Sequence, residues 1–240
     1  MSLSWTRVRA ILVKELRECR RNRAIVVTMA IIPLIFVINP LIQIFALPAS
    51  ASMALANRHL LIYMLGIPAV VPAVVAAYAV VGERQQGSLE PVLTTPITRE
   101  ELLLGKALAA LVPSLAISYL VFGAVLAGID LFAAPGIGAG LAQGPDLLAQ
   151  LFFTPLLAGW SIWIGLVVST RSSEPRSAQQ LGTLASVPAA LITSLIAYDV
   201  FPATLELAFG GAVLLVILNI VGWRVTAALF DRERLITGTK

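Results

Sequence analysis

The chain alternates long apolar stretches with short charged segments. Seven stretches contain no Asp, Glu, Lys or Arg, and they cover residues 24–57, 59–82, 107–129, 131–145, 147–170, 177–198 and 207–223. A helix needs about 20 apolar residues to cross a bilayer, and six of the stretches meet that need. Residues 131–145 are rich in glycine and proline, so they predict an irregular loop instead. The pattern predicts six transmembrane helices, at about residues 24–47, 60–81, 107–129, 147–170, 181–200 and 207–229.

The composition agrees with a membrane protein built from these helices alone. Of the 240 residues, 58% are hydrophobic and 12% are charged, whereas about a quarter of an average soluble domain is charged. The six helices account for most of the apolar residues, which leaves no room for a separate soluble catalytic domain. We therefore expect an all-α membrane protein in which residues 1–240 form a single transmembrane domain.

The basic residues lie on one side of the predicted membrane. With the N-terminus inside, 16 of the 17 Lys and Arg residues fall in the inner segments 1–23, 82–106, 171–180 and 224–240, and only Arg58 lies outside. Cytoplasmic loops of membrane proteins carry this excess of Lys and Arg. The sequence thus predicts a multi-pass protein of the plasma (inner) membrane with both termini in the cytoplasm. The net charge of +4 follows from this topology, so we expect no nucleic acid partner.

Residues 1–23 predict an amphipathic helix ahead of the first span. Apolar residues recur at helical spacing between Leu3 and Cys19, and arginine and lysine residues lie between them. Such a helix lies along the membrane surface with its cations near anionic lipid, or it packs on a partner protein. Both placements agree with the sequence. The apolar run that follows exceeds the roughly 7 to 15 residues of a signal-peptide core, so we expect it to be a span.

The sequence contains no motif for catalysis or for nucleotide binding. Cys19 is the only cysteine and His59 the only histidine, which excludes a disulfide framework and a cysteine-rich metal site. Gly159-Trp160-Ser161 resembles the serine motif of a rhomboid-like protease, but a serine nucleophile needs a positioned base and none is present. The phosphate-binding pattern Gly-x-x-x-x-Gly-Lys-Ser/Thr is absent as well. We expect a chain that is not an enzyme and binds no cofactor or metal, so another polypeptide would supply any ATP hydrolysis.

The segment between the second and third spans, residues 82–106, has a structure of its own. Thr98 and Glu101 have the spacing of a capping box, which predicts the start of a helix that continues into the third span. Before it, apolar residues at positions 89, 92 and 93 lie on one face of a short predicted helix that ends before Pro96. The pattern places four charged side chains exposed around that face, namely Glu83, Arg84, Glu90 and Arg99.

This segment resembles the loop that follows the second span in permease subunits of the type 2 ATP-binding-cassette (ABC) exporter family. The matching residues are, in order, Glu83, Arg84, Gly87, Ser88, Leu89, Glu90, Leu93, Thr95, Pro96, Arg99, Glu100, Gly105 and Lys106. The resemblance implies a coupling helix that docks on a separate ATPase subunit, which would bind ATP and Mg. It also implies a dimer with a second permease copy or a paralogue, in contact with membrane lipid. It assigns the ATPase contact to Glu83, Arg84, Gly87, Ser88, Leu89, Glu90, Val92, Leu93, Thr95, Pro96 and Arg99.

Polar residues inside the predicted spans are candidates for a substrate path. They are Asn39, Gln43, Ser114, Ser118, Thr154, Ser161, Thr193 and Ser194, although serine and threonine in membrane helices also bond to backbone. The spans hold almost no ionisable side chain, which disfavours proton-coupled transport. We expect ATP-driven export of an amphipathic or lipophilic molecule, a drug or a lipid. The alternatives are sodium export by the same architecture, an ATPase-independent channel, a sodium-coupled carrier and a non-transporting scaffold.

Overall fold

The computed structural model describes residues 3–46, 59–87, 97–132 and 143–229, and this part of the chain contains helices and no strand. The α-helices are α1 (Trp5–Arg21), α2 (Arg23–Ala46), α3 (Gly66–Tyr78), α4 (Val81–Gln85), α5 (Arg99–Phe132), α6 (Gly144–Arg171), α7 (Pro175–Ala197) and α8 (Leu205–Leu229). A 3₁₀ segment, Leu60–Leu65, leads directly into α3. Helices suit so apolar a sequence because each one satisfies its own backbone hydrogen bonds without water.

Six helical segments are long and apolar enough to cross a membrane, as the sequence predicts. They are span 1 (Arg23–Phe45), span 2 (Leu60–Gln85), span 3 (Arg99–Phe132), span 4 (Gly144–Arg171), span 5 (Pro175–Ala197) and span 6 (Leu205–Leu229). The prediction of an all-α membrane protein with six transmembrane helices is confirmed. Successive spans run in opposite directions, so the bundle has an α1 end, where span 2 finishes and span 3 begins, and a far end.

Span 2 forms the centre of the bundle. In its most apolar window 94% of the residues are buried, against 6% for span 6. Ala73, Ala76 and Ala77 give it a face of small side chains. Gly165 of span 4 and Gly182 of span 5 pack against that face, and a Cβ atom at Gly182 would lie 3.2 Å from the Cβ of Ala77. Because small residues let membrane helices approach closely, spans 2, 4 and 5 form a tight unit.

Span 6 lies at the edge of the bundle and is held by a polar side chain. Asn219 donates hydrogen bonds to the carbonyl oxygens of Leu156 at 3.0 Å and Leu215 at 2.8 Å. Its amide oxygen accepts a bond from the Trp163 indole at 3.0 Å, and the Trp163 ring meets Trp223 edge to face with centroids 5.6 Å apart. Polar groups within a membrane need partners inside the protein, so these contacts fix span 6 against span 4.

A single residue, Asn22, separates α1 from span 1. Its backbone is extended (φ −86°, ψ 101°), which ends α1. Its side-chain oxygen then accepts hydrogen bonds from the N–H groups of Ala24 at 3.1 Å and Ile25 at 3.4 Å, so it also caps span 1. α1 turns aside at this point and packs on the start of span 3. The predicted helix is therefore present, and its position at a membrane surface stays a prediction.

The far end carries a second polar link, between spans 2 and 4. His59 Nδ1 lies 2.6 Å from a carboxylate oxygen of Asp146. The Asp146 side chain is 1% exposed and that of His59 is 21% exposed. A carboxylate so deeply buried needs a hydrogen-bonded partner, and the single histidine of the chain provides one. The pair fastens the first turn of span 4 to the start of span 2.

Candidate functional site

The two ends of the loop 82–106 lie within the described residues. Helix α4 ends at Gln85, and Gly87 follows with a φ of +67°. This left-handed backbone favours glycine because it has no Cβ to clash with the preceding carbonyl. Gly87 thus interrupts the helical path of span 2 two residues after α4 ends. Residues 88–96, the middle of the loop, lie outside the described residues.

The loop returns to the bundle through the predicted capping box. The Thr98 N–H donates to a Glu101 carboxylate oxygen at 2.9 Å, and the Glu101 N–H donates to the Thr98 hydroxyl at 3.2 Å. The other Glu101 oxygen accepts a bond from the Ser4 N–H at 2.7 Å, and the Arg7 guanidinium lies 3.5 Å from the carboxylate. The capping prediction is confirmed. Glu101 also ties the start of α1 to the start of span 3.

A buried ion cluster joins α1 to both ends of the loop. The Lys106 ammonium of span 3 lies 2.7 Å from a carboxylate oxygen of Glu15 in α1 and 2.7 Å from one of Glu83 in span 2. It also donates to the Ala79 carbonyl at 2.7 Å. The Lys14 ammonium of α1 hydrogen-bonds the second Glu83 oxygen. We call Lys14, Glu15, Glu83 and Lys106 the brace cluster.

The charges of the brace cluster hold one another in place. The Lys106 side chain is fully buried and that of Glu83 is 3% exposed, a position that only paired charges tolerate. Burial lowers the pKa of Lys14, but the hydrogen bond and charge of Glu83 outweigh it and set this pKa above its ordinary value. Burial raises the pKa of Glu15 against the opposing charge of Lys106. Attraction between opposite charges therefore stabilises the brace cluster, in which two lysines face two carboxylates.

Three carboxylates come close enough to suggest a metal site. Oxygen atoms of Glu15, Glu18 and Glu83 lie within 4.8 Å of one another. The Lys14 ammonium is 3.6 Å from Glu15 and 3.3 Å from Glu18, and Lys106 contacts Glu15 and Glu83. The two ammonium groups supply the positive charge that a cation would bring. The residues present therefore fit an ion-pair cluster better than a metal centre.

Gly105 lets α1 approach span 3 closely enough for the brace cluster to form. A Cβ atom at Gly105 would lie 2.6 Å from a side-chain carbon of Ile11 and 3.3 Å from the Val8 carbonyl oxygen. Ile11 and Val8 are the buried apolar residues of α1. Any larger residue at position 105 would push the helix outward, away from Lys106 in the next position of the chain.

Cys19 of α1 gives a pH-dependent test of how α1 is buried. Burial, with the charges of Glu15 and Glu18, raises the pKa of its thiol to about 11. Only the thiolate reacts, and a free cysteine has a pKa of about 8.5. We expect the alkylation rate of the folded protein to keep rising from pH 9 to pH 10.5, where an ordinary cysteine has levelled off. Mass spectrometry after timed alkylation measures this, because the chain has one cysteine. A rate that levels off near pH 9, as in a denatured control, would contradict the packing.

Arg84 turns back onto the bundle as well. Its guanidinium donates to the carbonyl oxygens of Ser172 at 3.2 Å and Thr170 at 3.3 Å. These carbonyls lie at the end of span 4, next to the turn into span 5. The exit of span 2 is thus tied to spans 4 and 5 by Arg84 and to α1 and span 3 by Glu83.

The predicted ATPase-contact residues fall into three groups. Gly87 and Arg99 are exposed at the α1 end, and Arg84 is half-buried. The expectation that Glu83 is exposed is wrong, because Lys14 and Lys106 neutralise its carboxylate inside the protein. The remaining predicted contacts lie outside the described residues and stay predictions. They are Ser88, Leu89, Glu90, Val92, Leu93, Thr95 and Pro96.

The predicted substrate-path residues also differ in their surroundings. Five have partners within the described protein: Ser161 donates to the Ala69 carbonyl, Thr193 and Ser194 donate to the Ala190 carbonyl, and Gln43 donates to Asn39. The hydroxyls of Ser114 and Ser118 are buried and have no hydrogen-bond partner among the described residues. The Gln150 side chain, which the sequence pattern does not single out, is likewise buried without a hydrogen-bond partner among the described residues. The buried Thr154 hydroxyl interacts with the side chain of Tyr119. Ser114 and Ser118 belong to span 3, and Gln150 and Thr154 belong to span 4.

The sequence carries a signal for the brace cluster in the residue spacing of α1. Glu15 falls on the same helical stripe as Val8 and Ile11, at spacings of three and four, and all three are buried. An acid on the apolar stripe of a basic helix predicts a buried cationic partner. Its partner, Lys106, lies near the start of span 3 and is 91 residues away.

Comparison with known proteins identifies the family of the chain. Residues 9–230 match the family described as ABC-2 family transporter protein. The chain belongs to this family. The resemblance found in the sequence is thereby confirmed, and the protein is a membrane permease of an ABC transporter. Members of this family are the transmembrane component and pair with an ATPase subunit. No curated protein matches the sequence.

Proposed function

We propose that this ABC-2 permease exports an amphipathic or lipophilic molecule, a drug or a lipid, with energy from ATP hydrolysed by a separate subunit. One observation supports the coupling route above all: α1 forms ion pairs with both ends of the loop 82–106. It contacts Glu83 at one end and Glu101 and Lys106 at the other. A loop held at both ends transmits a displacement to spans 2 and 3 instead of moving independently of them. ATP and Mg would be bound by the partner subunit.

The proposed mechanism starts at residues 88–96 and proceeds into the bundle. Closure of the ATPase on ATP would displace this segment together with the ends of spans 2 and 3. The displacement would carry α1 along, because the brace cluster links it to both spans. Span 2 is packed on spans 4 and 5 through small residues, so its movement would reach them directly. Interfaces packed this closely switch between discrete arrangements more readily than they deform.

We further propose that the α1 end faces the cytoplasm and that both chain termini lie there. The excess of Lys and Arg at this end supports the orientation, and an ATPase works on the side that holds ATP. A second permease copy or a paralogue would complete the transporter. Span 6, with 6% of its most apolar window buried, and the outer faces of spans 1 and 5 remain available for lipid or for that partner.

The polar residues without partners support a route along spans 3 and 4. Hydroxyl and amide groups without partners inside a membrane are costly, so Ser114, Ser118 and Gln150 are suited to meet the polar part of a cargo or water. The apolar surroundings suit the remainder of an amphipathic molecule. Screening compounds for stimulation of ATP hydrolysis by the reconstituted pair tests this substrate class. Stimulation by hydrophilic sugars or peptides alone would contradict it.

The ATPase contact is tested by reversing a charge in the middle of the loop. We expect Glu90→Lys to weaken binding of the ATPase by about tenfold or more, because charged groups in an interface set its complementarity. Membrane insertion should be unchanged, since residue 90 lies outside every span. The matched control is Glu206→Lys, the same change at an exposed position at the far end. Detergent pull-down with the ATPase measures both variants, and equal binding by Glu90→Lys and the wild type would refute the contact.

A further inference from the structure

An open apolar groove runs between spans 1 and 3. It has a volume of about 820 Å³, within the roughly 300 to 1,000 Å³ typical of small-molecule sites. Pro33 of span 1 and Pro113 of span 3 face it from opposite sides, and Met29 and Ile117 complete its wall near the α1 end. On the floor of the groove, Val37 of span 1 and Val125 of span 3 belong to one buried cluster. The groove is thus a slot that opens sideways toward the membrane.

The groove has one charged residue, and it lies at the α1 end. Leu16, Cys19 and Arg20 of α1 close this end of the slot, and among the described lining residues Arg20 alone is charged. Three other arginines of α1, Arg9, Arg17 and Arg21, line a separate surface of the helix. An apolar groove with a cation at one end matches a molecule with an apolar chain and an anionic head group.

We propose that this end of the groove binds the acyl chain of an anionic phospholipid, with the lipid phosphate held by Arg20. A guanidinium bonds a phosphate oxygen strongly, and burial of the lipid chain against apolar side chains adds to the affinity. The charge favours phosphatidylglycerol over phosphatidylcholine, whose choline cation would approach Arg20 as well. The site does not depend on an ATPase or on which molecule the permease exports.

The bound lipid would contact α1, which carries two residues of the brace cluster. Arg20 and Glu15 belong to the same helix, and Cys19 lines both the groove and the small cavity beside Glu15, Glu83 and Lys106. A chain wedged between spans 1 and 3 would therefore support α1 from the side opposite its exposed basic face. The lipid composition of the membrane would therefore affect the position of α1, the helix that contacts both ends of the loop 82–106.

Two pairs of variants test the site. Arg20→Gln removes the cation at the mouth, and Arg21→Gln removes the neighbouring charge outside the groove. Ala30→Trp fills the slot near the α1 end from an exposed position. Gly128→Trp fills the far end, where a Cβ atom meets nothing within 4 Å. Gly128 is about 22 Å beyond Pro113 along the helix, whereas the chains of one leaflet reach about 15 Å.

Native mass spectrometry of the full chain in detergent, titrated with phosphatidylglycerol and in parallel with phosphatidylcholine, measures the result. We expect Arg20→Gln to weaken phosphatidylglycerol binding by about tenfold and Ala30→Trp to abolish it. Arg21→Gln and Gly128→Trp should bind as the wild type does. Equal binding of the two lipids, an equal loss in Arg21→Gln, or unchanged binding in Ala30→Trp would overturn the proposal. Dissociation of a dimer by Ala30→Trp without a change in lipid binding would assign the groove to a second copy of the chain instead.

Discussion

Lys106→Met is expected to lower the free energy of unfolding by about 3 to 5 kcal/mol, the usual cost of removing one partner from a buried ion cluster. Methionine fills a similar volume but leaves the carboxylates of Glu15 and Glu83 without their shared cation, 2.7 Å from each. The Ala79 carbonyl loses its bond as well. Unfolding by SDS in mixed micelles, followed by circular dichroism, measures the change.

The matched control is Arg99→Met, which removes a basic residue from the exposed first turn of the same helix. It should change the free energy of unfolding by less than about 0.5 kcal/mol, as is usual for surface positions. A triple variant, Lys106→Met with Glu15→Gln and Glu83→Gln, should recover much of the lost stability, because it removes the buried charges together. A Lys106→Met protein as stable as the control would show that the brace cluster does not hold the structure.

Gly165→Leu is expected to lower the free energy of unfolding by about 3 kcal/mol, at the upper end of the range for overpacked cores. A Cβ atom at this position would lie 2.8 Å from the Cβ of Ala76 and 3.0 Å from the backbone nitrogen of Ala77, and closer still to the Ala73 carbonyl oxygen. Backbone atoms cannot move aside by a change of rotamer, as a side chain can. Span 4 must therefore move away from span 2. The same unfolding assay measures the loss.

The control for this prediction is Gly210→Leu in span 6, where a Cβ atom meets nothing within 4 Å. It adds the same side chain to another membrane helix, so both variants change hydrophobicity equally. Its stability should match the wild type within about 0.5 kcal/mol. If the two variants behave alike, spans 2 and 4 are not packed as tightly as described.

Periodicity and charge spacing predicted the local structure well. The gaps between charged residues gave six spans because a lipid environment excludes charge from long stretches, and this rule needs no tertiary information. The capping box at Thr98 and Glu101 was predictable for the same reason, since both partners lie within one helical turn. The contacts of Glu101 with α1 add a long-range role to this local one.

The roles of the individual charges were not predictable in this way. Glu83 belongs to a loop motif that reads as exposed, yet its partners Lys14 and Lys106 are 69 and 23 residues away and meet it only when α1 lies across the span ends. The need for glycine at position 105 was likewise not predictable, because it depends on the contact with Ile11 of α1. The polar span residues show the same limit: Ser161 bonds to the Ala69 carbonyl while Ser118 has no partner among the described residues, and no local pattern separates them.

The central claim, that a separate ATPase drives this permease through the loop 82–106, has one direct test. The tagged full chain is purified in detergent from its native cells, beside a variant in which residues 88–96 are replaced by a glycine-serine linker of equal length. Mass spectrometry identifies any ABC ATPase that is retained, and vanadate-sensitive ATP hydrolysis is measured on the same samples. We expect the wild-type chain to retain an ABC ATPase and hydrolyse ATP, and the variant to fold equally well and do neither. A wild-type chain without an ATPase, or a variant that retains it undiminished, would contradict the account.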